Sequence, residues 1–441
     1  MTDTPHADLL ARHRRVMPSW LALYYDEPIE LVSGSGRHVV DGEGTRYLDF
    51  FGGILTTMTG YDVPEVVDAI RTQAGRMIHT STLYLIRPMV ELAERLAPLS
   101  GIPDAKVFFT TSGTEANEAA LLFASTARRS NQVLALRNSY HGRSFATVGI
   151  TGNRGWSASS LTPFTVHYID AGHRFPGPAG RPDPADATAA AVDDLRDVIL
   201  TATAGDVACL IAEPIQGVGG FTVPPDGLFG AMKKVLDEYG ILYISDEVQT
   251  GWGRTGDHFW GYEAHGLTPD LLTFAKGLGN GLSMAGVIGR GELVDGVTAN
   301  SISTFGGNPL VSAGALANLE YLLDHGLQAN ARVQGARILD VLAPLAGKLG
   351  VVGEVRGRGL MIGVELVGPD GRSPAPAAAA RVLELCRQRG LLVGKGGLFG
   401  NCLRIAPPLS LTSDEADEGS GILADVLVDV DAAHNDGEVS S

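Results

Sequence analysis

Basic residues are in short supply: Lys and Arg number 34 against 50 Asp and Glu, a formal net charge of −16. A general binder of nucleic acid or of an acidic membrane surface needs the opposite surplus to neutralise phosphates, so the expected partner is a small molecule. Cysteine is scarcer still. Cys209, Cys386 and Cys402 are an odd number without metal-type spacing, each in or beside an apolar run, and read as reduced structural thiols; no metal site is expected. Long apolar runs are missing too, since nothing approaches the ~18 uncharged apolar residues of a membrane helix. The opening MTDTPHADLLARHRR has no apolar stretch of the secretory type, so a bacterial-type cytoplasm is the expected compartment. What remains is ordinary for a globular chain, 44% hydrophobic and 19% charged, with 57 glycines that imply many tight turns. Its 441 residues allow about two or three domains.

Residues 20–51 read as a small meander of short strands around the turns SGSG and DGEG. From Lys106 onward β-rich runs alternate with helical stretches: KVFFT, a helix over 115–129, QVLAL, TVHYI, a helix over 192–203, VACLIAEP, a helix over 227–239, ILYISDEV and DLLTFA. This alternation implies a mostly parallel, doubly wound α/β sheet, and continuously apolar runs such as VACLIA fit strands buried on both faces. The Pro/Gly-rich stretch at 171–186 reads as an irregular surface loop. A long helical region over 309–349 precedes a smaller α+β domain, with a polar, frayed tail from about Ala432.

Ligands of open parallel sheets bind beyond the carboxyl ends of the strands. Polar groups follow four apolar runs there: Asp246-Glu247, Lys276-Gly277, the segment from Thr110 to Glu115, and Glu213-Pro214. Of six lysines, only Lys276 ends a buried strand. Partial desolvation there favours the neutral amine, which condenses with an aldehyde, although a lysine at that place also snorkels out of a sheet edge. Asp246 is placed to pair with a protonated pyridine nitrogen. A Walker B acid is the competing reading, but the nearest phosphate loop, GLLVGK at 390–395, is one residue short and lacks the Ser or Thr. The GWGRTG at 251–256 is followed by DHFWGYE where a dinucleotide fold requires a helix, and reads as a loop. Ser112, Gly113 and Thr114 open a helix whose first-turn N–H groups form an anion site, compatible with a capping box of Ser112 and Glu115. Tyr140-His141-Gly142-Arg143 adds an aromatic face and a guanidinium.

In this order and spacing, YLDFFGGI, TSGTEANEAA, YHGR, AEPIQGVGG, SDEVQTGWGRTG, TFAKGLGNG, STFGGNPL, VRGRGLMIGVEL and LRIAPPL make a specific set. The chain resembles the class III (ω-type) aminotransferases of pyridoxal-5′-phosphate (PLP) fold type I from about Tyr24 to the last helix, and GKGGLFGNCLRIAPPL is closest to the alanine–glyoxylate aminotransferase 2-like branch. A local departure is Tyr61-Asp62-Val63-Pro64, where that branch has a His-containing turn. The resemblance implies an N-terminal segment, 1–60, packing with the small domain; a large PLP-binding domain, 61–325; and a small domain, 326–441. It implies that Lys276 carries the cofactor as a Schiff base and shuttles a proton between the substrate Cα and C4′. Asp246 holds the pyridinium, Gln249 touches the phenolic oxygen, and Ser112, Gly113 and Thr114 bind the phosphate. Tyr140 stacks on the ring, Glu213 lies beside it, and Thr304 reaches the phosphate of the neighbouring subunit, which makes the protein a homodimer with shared sites, or a tetramer of such dimers.

Arg404 matches the arginine that clamps a substrate carboxylate, a role suited to a planar fork. In relatives acting on ω-amines a Glu five residues after the EP glutamate masks it; here that position is Val218. The expected reaction is transfer from an amino acid or ω-amine, such as alanine, to a small 2-oxo acid, glyoxylate or pyruvate. Arg143, whose counterpart in some relatives binds a second carboxylate, leaves dual specificity open. Phospholyase and decarboxylating transaminase activities of the same family are the alternatives, and a nucleotide-binding module the remote one.

Overall fold

Near the N-terminus three short strands, β1 (Leu31–Ser35), β2 (His38–Asp41) and β3 (Arg46–Asp49), form an antiparallel meander. The computed structural model describes residues 5–172 and 183–435. The seven-stranded sheet that follows contains β4 (Ala105–Thr110), β5 (Gln132–Leu136), β6 (Thr165–Ile169), β7 (Cys209–Ala212), β8 (Leu242–Asp246), β9 (Leu271–Phe274) and β10 (Ala285–Arg290), in the order β4-β10-β9-β8-β7-β5-β6. Pairings from β6 through β9 are parallel; only β10, inserted between β4 and β9, runs against its neighbours. Period-two alternation divides the core: Val133 and Ala135 pack with the helix Gly113–Arg128 on one face, Leu134 and Leu136 with the helices Pro184–Ala202 and Leu228–Glu238 on the other. The sheet is thus doubly wound.

The C-terminal part holds β11 (Val352–Arg358), β12 (Met361–Leu366), β13 (Leu391–Leu392), β14 (Gly394–Gly396) and β15 (Cys402–Ile405). Four of these form an antiparallel sheet in the order β11-β12-β15-β14. The fifth, β13, pairs in parallel with β3, which ties residues 46–49 to the C-terminal part. The helix Ser413–Asn435 closes the described chain. Among the described residues no helix is long and apolar enough to cross a membrane.

Three boundaries differ from expectation. The helix expected over 192–203 begins at Pro184, because the Asp183 carboxylate accepts from Ala185 N at 2.8 Å and a proline at the first helical position presets φ. The rest of the expected loop, 173–182, lies outside the described residues. The region 309–349 divides into the helices Pro309–Asp324 and Leu327–Leu342, separated at Gly326 by a left-handed φ of 59°. Residues 432–435, expected as frayed tail, continue the last helix, and 436–441 lie outside the described residues.

Candidate active site

The four strand ends singled out from the sequence line one cavity of about 380 Å³, together with Tyr140, Gln249, Asn117, His141 and Thr56. Asp246 closes β8 and is buried. Its Oδ1 accepts from Val248 N at 3.1 Å, while Oδ2 accepts from Asn117 Nδ2 at 2.8 Å and faces His141 Nδ1 at 2.8 Å. A carboxylate has about four acceptor positions, so one on Oδ1 is left, and Asp246 lines the cavity. The next residue does different work: Glu247 turns away, accepts from Gly261 N and Tyr262 N at 2.8 and 2.9 Å, and fastens that loop. Burial pushes its carboxyl up to about 7.

Lys276 stands two residues beyond β9 in a left-handed turn, φ 43°, half-buried in the cavity wall. Burial, helped by the Arg404 charge and opposed by Asp246 and Glu213, lowers its amine to about 8. Glu213 accepts from Tyr140 N and Gly217 N, both at 2.9 Å. Burial raises its carboxyl, with Asp246 adding to the shift and His141 opposing it. At the start of the helix Gly113–Arg128, Ser112 Oγ accepts from Glu115 N at 3.3 Å. The Glu115 carboxylate reaches back one residue further than a capping box requires, to Thr111 N and Oγ1, both at 2.7 Å. First-turn N–H groups have no intrahelical acceptor, and the residues that bear them, Gly113 and Thr114, line the cavity. Tyr140 is half-buried, with Trp156 edge-on at 5.6 Å.

Other expected residues lie outside this lining. Arg404, on β15, is buried and reaches the cavity through Gln249, whose Oε1 accepts from its Nη2 at 2.9 Å. Its guanidinium lies over the rings of Phe221 at 4.7 Å and Phe51 at 5.3 Å, and among the described residues no carboxylate forms an ion pair with it. Val218 is buried, and its carbonyl accepts from Gly397 N at 2.9 Å beside the Arg404 stem. Arg143 is exposed, with its guanidinium 5.5 Å from the Trp20 ring centre. Thr304 is exposed in the connection before the helix Pro309–Asp324 and is no part of this chain's cavity. At the departure Tyr61-Asp62-Val63-Pro64, Tyr61 Oη donates to Asp49 Oδ2 at 2.6 Å, outside the cavity lining.

Sequence reasoning missed the partners of Asp246. Asn117 bonds both Asp246 and His141 O, at 2.8 Å each, and its Oδ1 accepts from Thr273 Oγ1 at 2.7 Å. The available signal was an amide on the face of the helix that packs against the sheet, where Ala116, Ala120 and Ala124 are buried.

An amine lowered to about 8, a buried carboxylate with a spare acceptor position, an aromatic face and a helix N-terminus around one cavity are the groups a PLP enzyme requires. Comparison with known proteins is specific. The model of the class-III aminotransferases matches residues 24–427, and the chain belongs to that family. It is 39% identical over 419 residues to alanine–glyoxylate aminotransferase 2 homolog 2, mitochondrial, of Arabidopsis thaliana, covering 94% of this chain and 86% of that protein. Among solved structures, an amine transaminase from an uncultivated Pseudomonas species in its PLP-bound form superposes with a TM-score of 0.87 at 32% identity, covering 95% of this chain and 98% of that one. A phospholyase from Arthrobacter in complex with phosphoethanolamine gives 0.87 at 34%, covering 96% and 99%. The protein is a PLP-dependent aminotransferase of fold type I.

Proposed function

We propose that the protein transfers the amino group of a small α-amino acid, alanine foremost, to glyoxylate or pyruvate in two half-reactions at the cavity. The observation that carries this is Arg404, a buried guanidinium whose hydrogen-bonding side-chain partner is the neutral Gln249 and not an acid. Such a group favours an incoming carboxylate, which it holds through two parallel bonds. Bound PLP supplies a ring that withdraws electrons from the substrate Cα. Asp246 would hold the protonated ring nitrogen through its spare acceptor position, and Asn117 and His141 hold Asp246. The N–H groups of Gly113 and Thr114, with Ser112, would take the phosphate. Tyr140, its backbone fixed by Glu213, would cover the ring, and Gln249 would meet the phenolic oxygen. Lys276 Nζ would take the proton from the substrate Cα and hold it for return in a 1,3 shift.

Incubation with L-alanine and glyoxylate is expected to release pyruvate and glycine. Release of phosphate from phosphoethanolamine without pyruvate from alanine would replace this proposal with a lyase. A charge-assisted bond contributes about 1.5–3 kcal/mol, so Arg404→Ala is expected to raise the KM for alanine about 10- to 100-fold with kcat little changed. An unchanged KM removes Arg404 from the substrate site.

We further propose that two copies pair, with Thr304 of each approaching the phosphate of the other. In support, an apolar strip containing Met77, Ile78, Leu83, Tyr84 and Leu85, the last 98% exposed, runs beside Phe305, whose ring is 5.2 Å from that of His79. Isolated soluble chains rarely leave such a strip uncovered. Leu85→Glu is expected to give monomers in light scattering and to depress activity; a fully active dimer of that variant moves the interface elsewhere.

A further inference from the structure

Two of the three arginines of the C-terminal sheet, Arg356 and Arg404, stand in one cross-strand row. Arg356 on β11 lies opposite Gly363 on β12, Gly363 lies opposite Arg404 on β15, and Arg404 lies opposite Gly394 on β14. Directly opposed residues project from the same face. The row therefore reads arginine, glycine, arginine, glycine, and each glycine is a notch that something fills. A Cβ at Gly363 would meet Gly220 O at 2.7 Å and Phe221 Cβ at 3.4 Å; a Cβ at Gly394 would meet the Phe51 ring at 2.1 Å. The two notches thus admit the two aromatic walls of Arg404.

Phe221 is held against its own preference. It is fully buried with φ 52°, a left-handed conformation that costs a bulky side chain free energy. Arg356 opposes that cost: its Nη2 donates to Gly220 O at 2.7 Å, and its Nε donates to Gly220 O and Phe221 O, both at 3.2 Å. Arg356 is itself fixed by Glu365 Oε2 at 2.6 Å and Glu354 Oε2 at 3.3 Å, and Asn401 donates to the other Glu365 oxygen at 3.0 Å.

We propose that Arg356 is a positioning residue for substrates bearing a carboxylate: it clamps the Gly220–Phe221 carbonyls so that the Phe221 ring fixes the plane of the Arg404 guanidinium. This rests on Arg404 being the carboxylate receptor. The test is calorimetric titration of the holoenzyme with propionate, an unreactive carboxylate. Arg356→Lys keeps the charge but not the planar fork, and Phe221→Leu keeps the burial but not the flat ring. Each is expected to weaken propionate binding about tenfold while kcat at saturating alanine stays within about twofold. The double variant is expected to bind no more weakly than the worse single one, because both act through one ring. A loss in the double variant equal to the product of the two single losses overturns the proposal, as does unchanged affinity in Arg356→Lys. Should that variant fail to fold, unchanged affinity in Phe221→Leu, which leaves the ion cluster intact, decides against it. Arg404→Ala separates the two layers: if it weakens propionate binding and the other variants do not, the clamp alone is wrong; if it does not, the carboxylate assignment falls and the clamp with it.

Discussion

Turnover in Lys276→Ala is expected to fall by ~10⁴-fold or more, the upper end of what one positioned proton-transfer group contributes. Lys276 stands two residues beyond β9 in a left-handed turn and is the one lysine among the residues that line the cavity, so no other lysine there can stand in for it. Borohydride reduction and peptide mapping of the wild-type holoenzyme should fix the cofactor on residue 276. Label on another lysine, or an alanine variant within about a hundredfold of wild type, defeats the assignment. The sign of the pH dependence is also set. An ordinary lysine titrates near 10.4, whereas Lys276 is lowered to about 8 by burial. In the cofactor-free protein an amine-acylating reagent should therefore modify Lys276 with a midpoint near pH 8. Below it the charged form accumulates and the rate drops about tenfold per pH unit.

Residues at strand ends were readable because a doubly wound sheet leaves them one place to go. Lys276, Asp246, Glu213 and the segment 111–114 follow apolar runs, and all line one cavity. The strand β10 escaped notice because two of its six residues, Gly286 and Gly289, suppress any β-rich pattern; they are small because Cβ atoms there would meet Phe108 O at 2.5 Å and Leu271 Cδ2 at 2.2 Å. Asn117 and His141 were equally quiet, since the hydrogen bonds that give them meaning span 129 and 105 positions to Asp246. Arg404 illustrates the converse. Its place on an apolar strand stood out, but its pairing with Gln249 and its walls Phe51 and Phe221 come from three distant segments. Local spacing carries strand ends; it does not carry what crosses between sheets.

Convergence of segments distant in sequence makes Asp246 the second residue whose loss should be severe. Asp246→Asn preserves shape and removes charge, and it also breaks a donor pattern. Two donors and the His141 ring converge on the native carboxylate: Val248 N on one oxygen, Asn117 Nδ2 and His141 Nδ1 on the other. An asparagine in either amide orientation sets its NH₂ against at least one of them and cannot offer a negative charge to a ring nitrogen. The expected loss is about 10³-fold in kcat, the scale for removing one preorganised electrostatic partner. The KM for alanine should change little if, as proposed, Arg404 and not Asp246 meets the carboxylate. The same variant should move Lys276. The Asp246 charge now raises that amine against the larger effect of burial, so its removal should bring the acylation midpoint of the cofactor-free protein below 8. Asp246 acts on the reacting centre if kcat and the lysine midpoint fall together; full turnover in Asp246→Asn would leave it a structural acid bonded to Asn117 and His141.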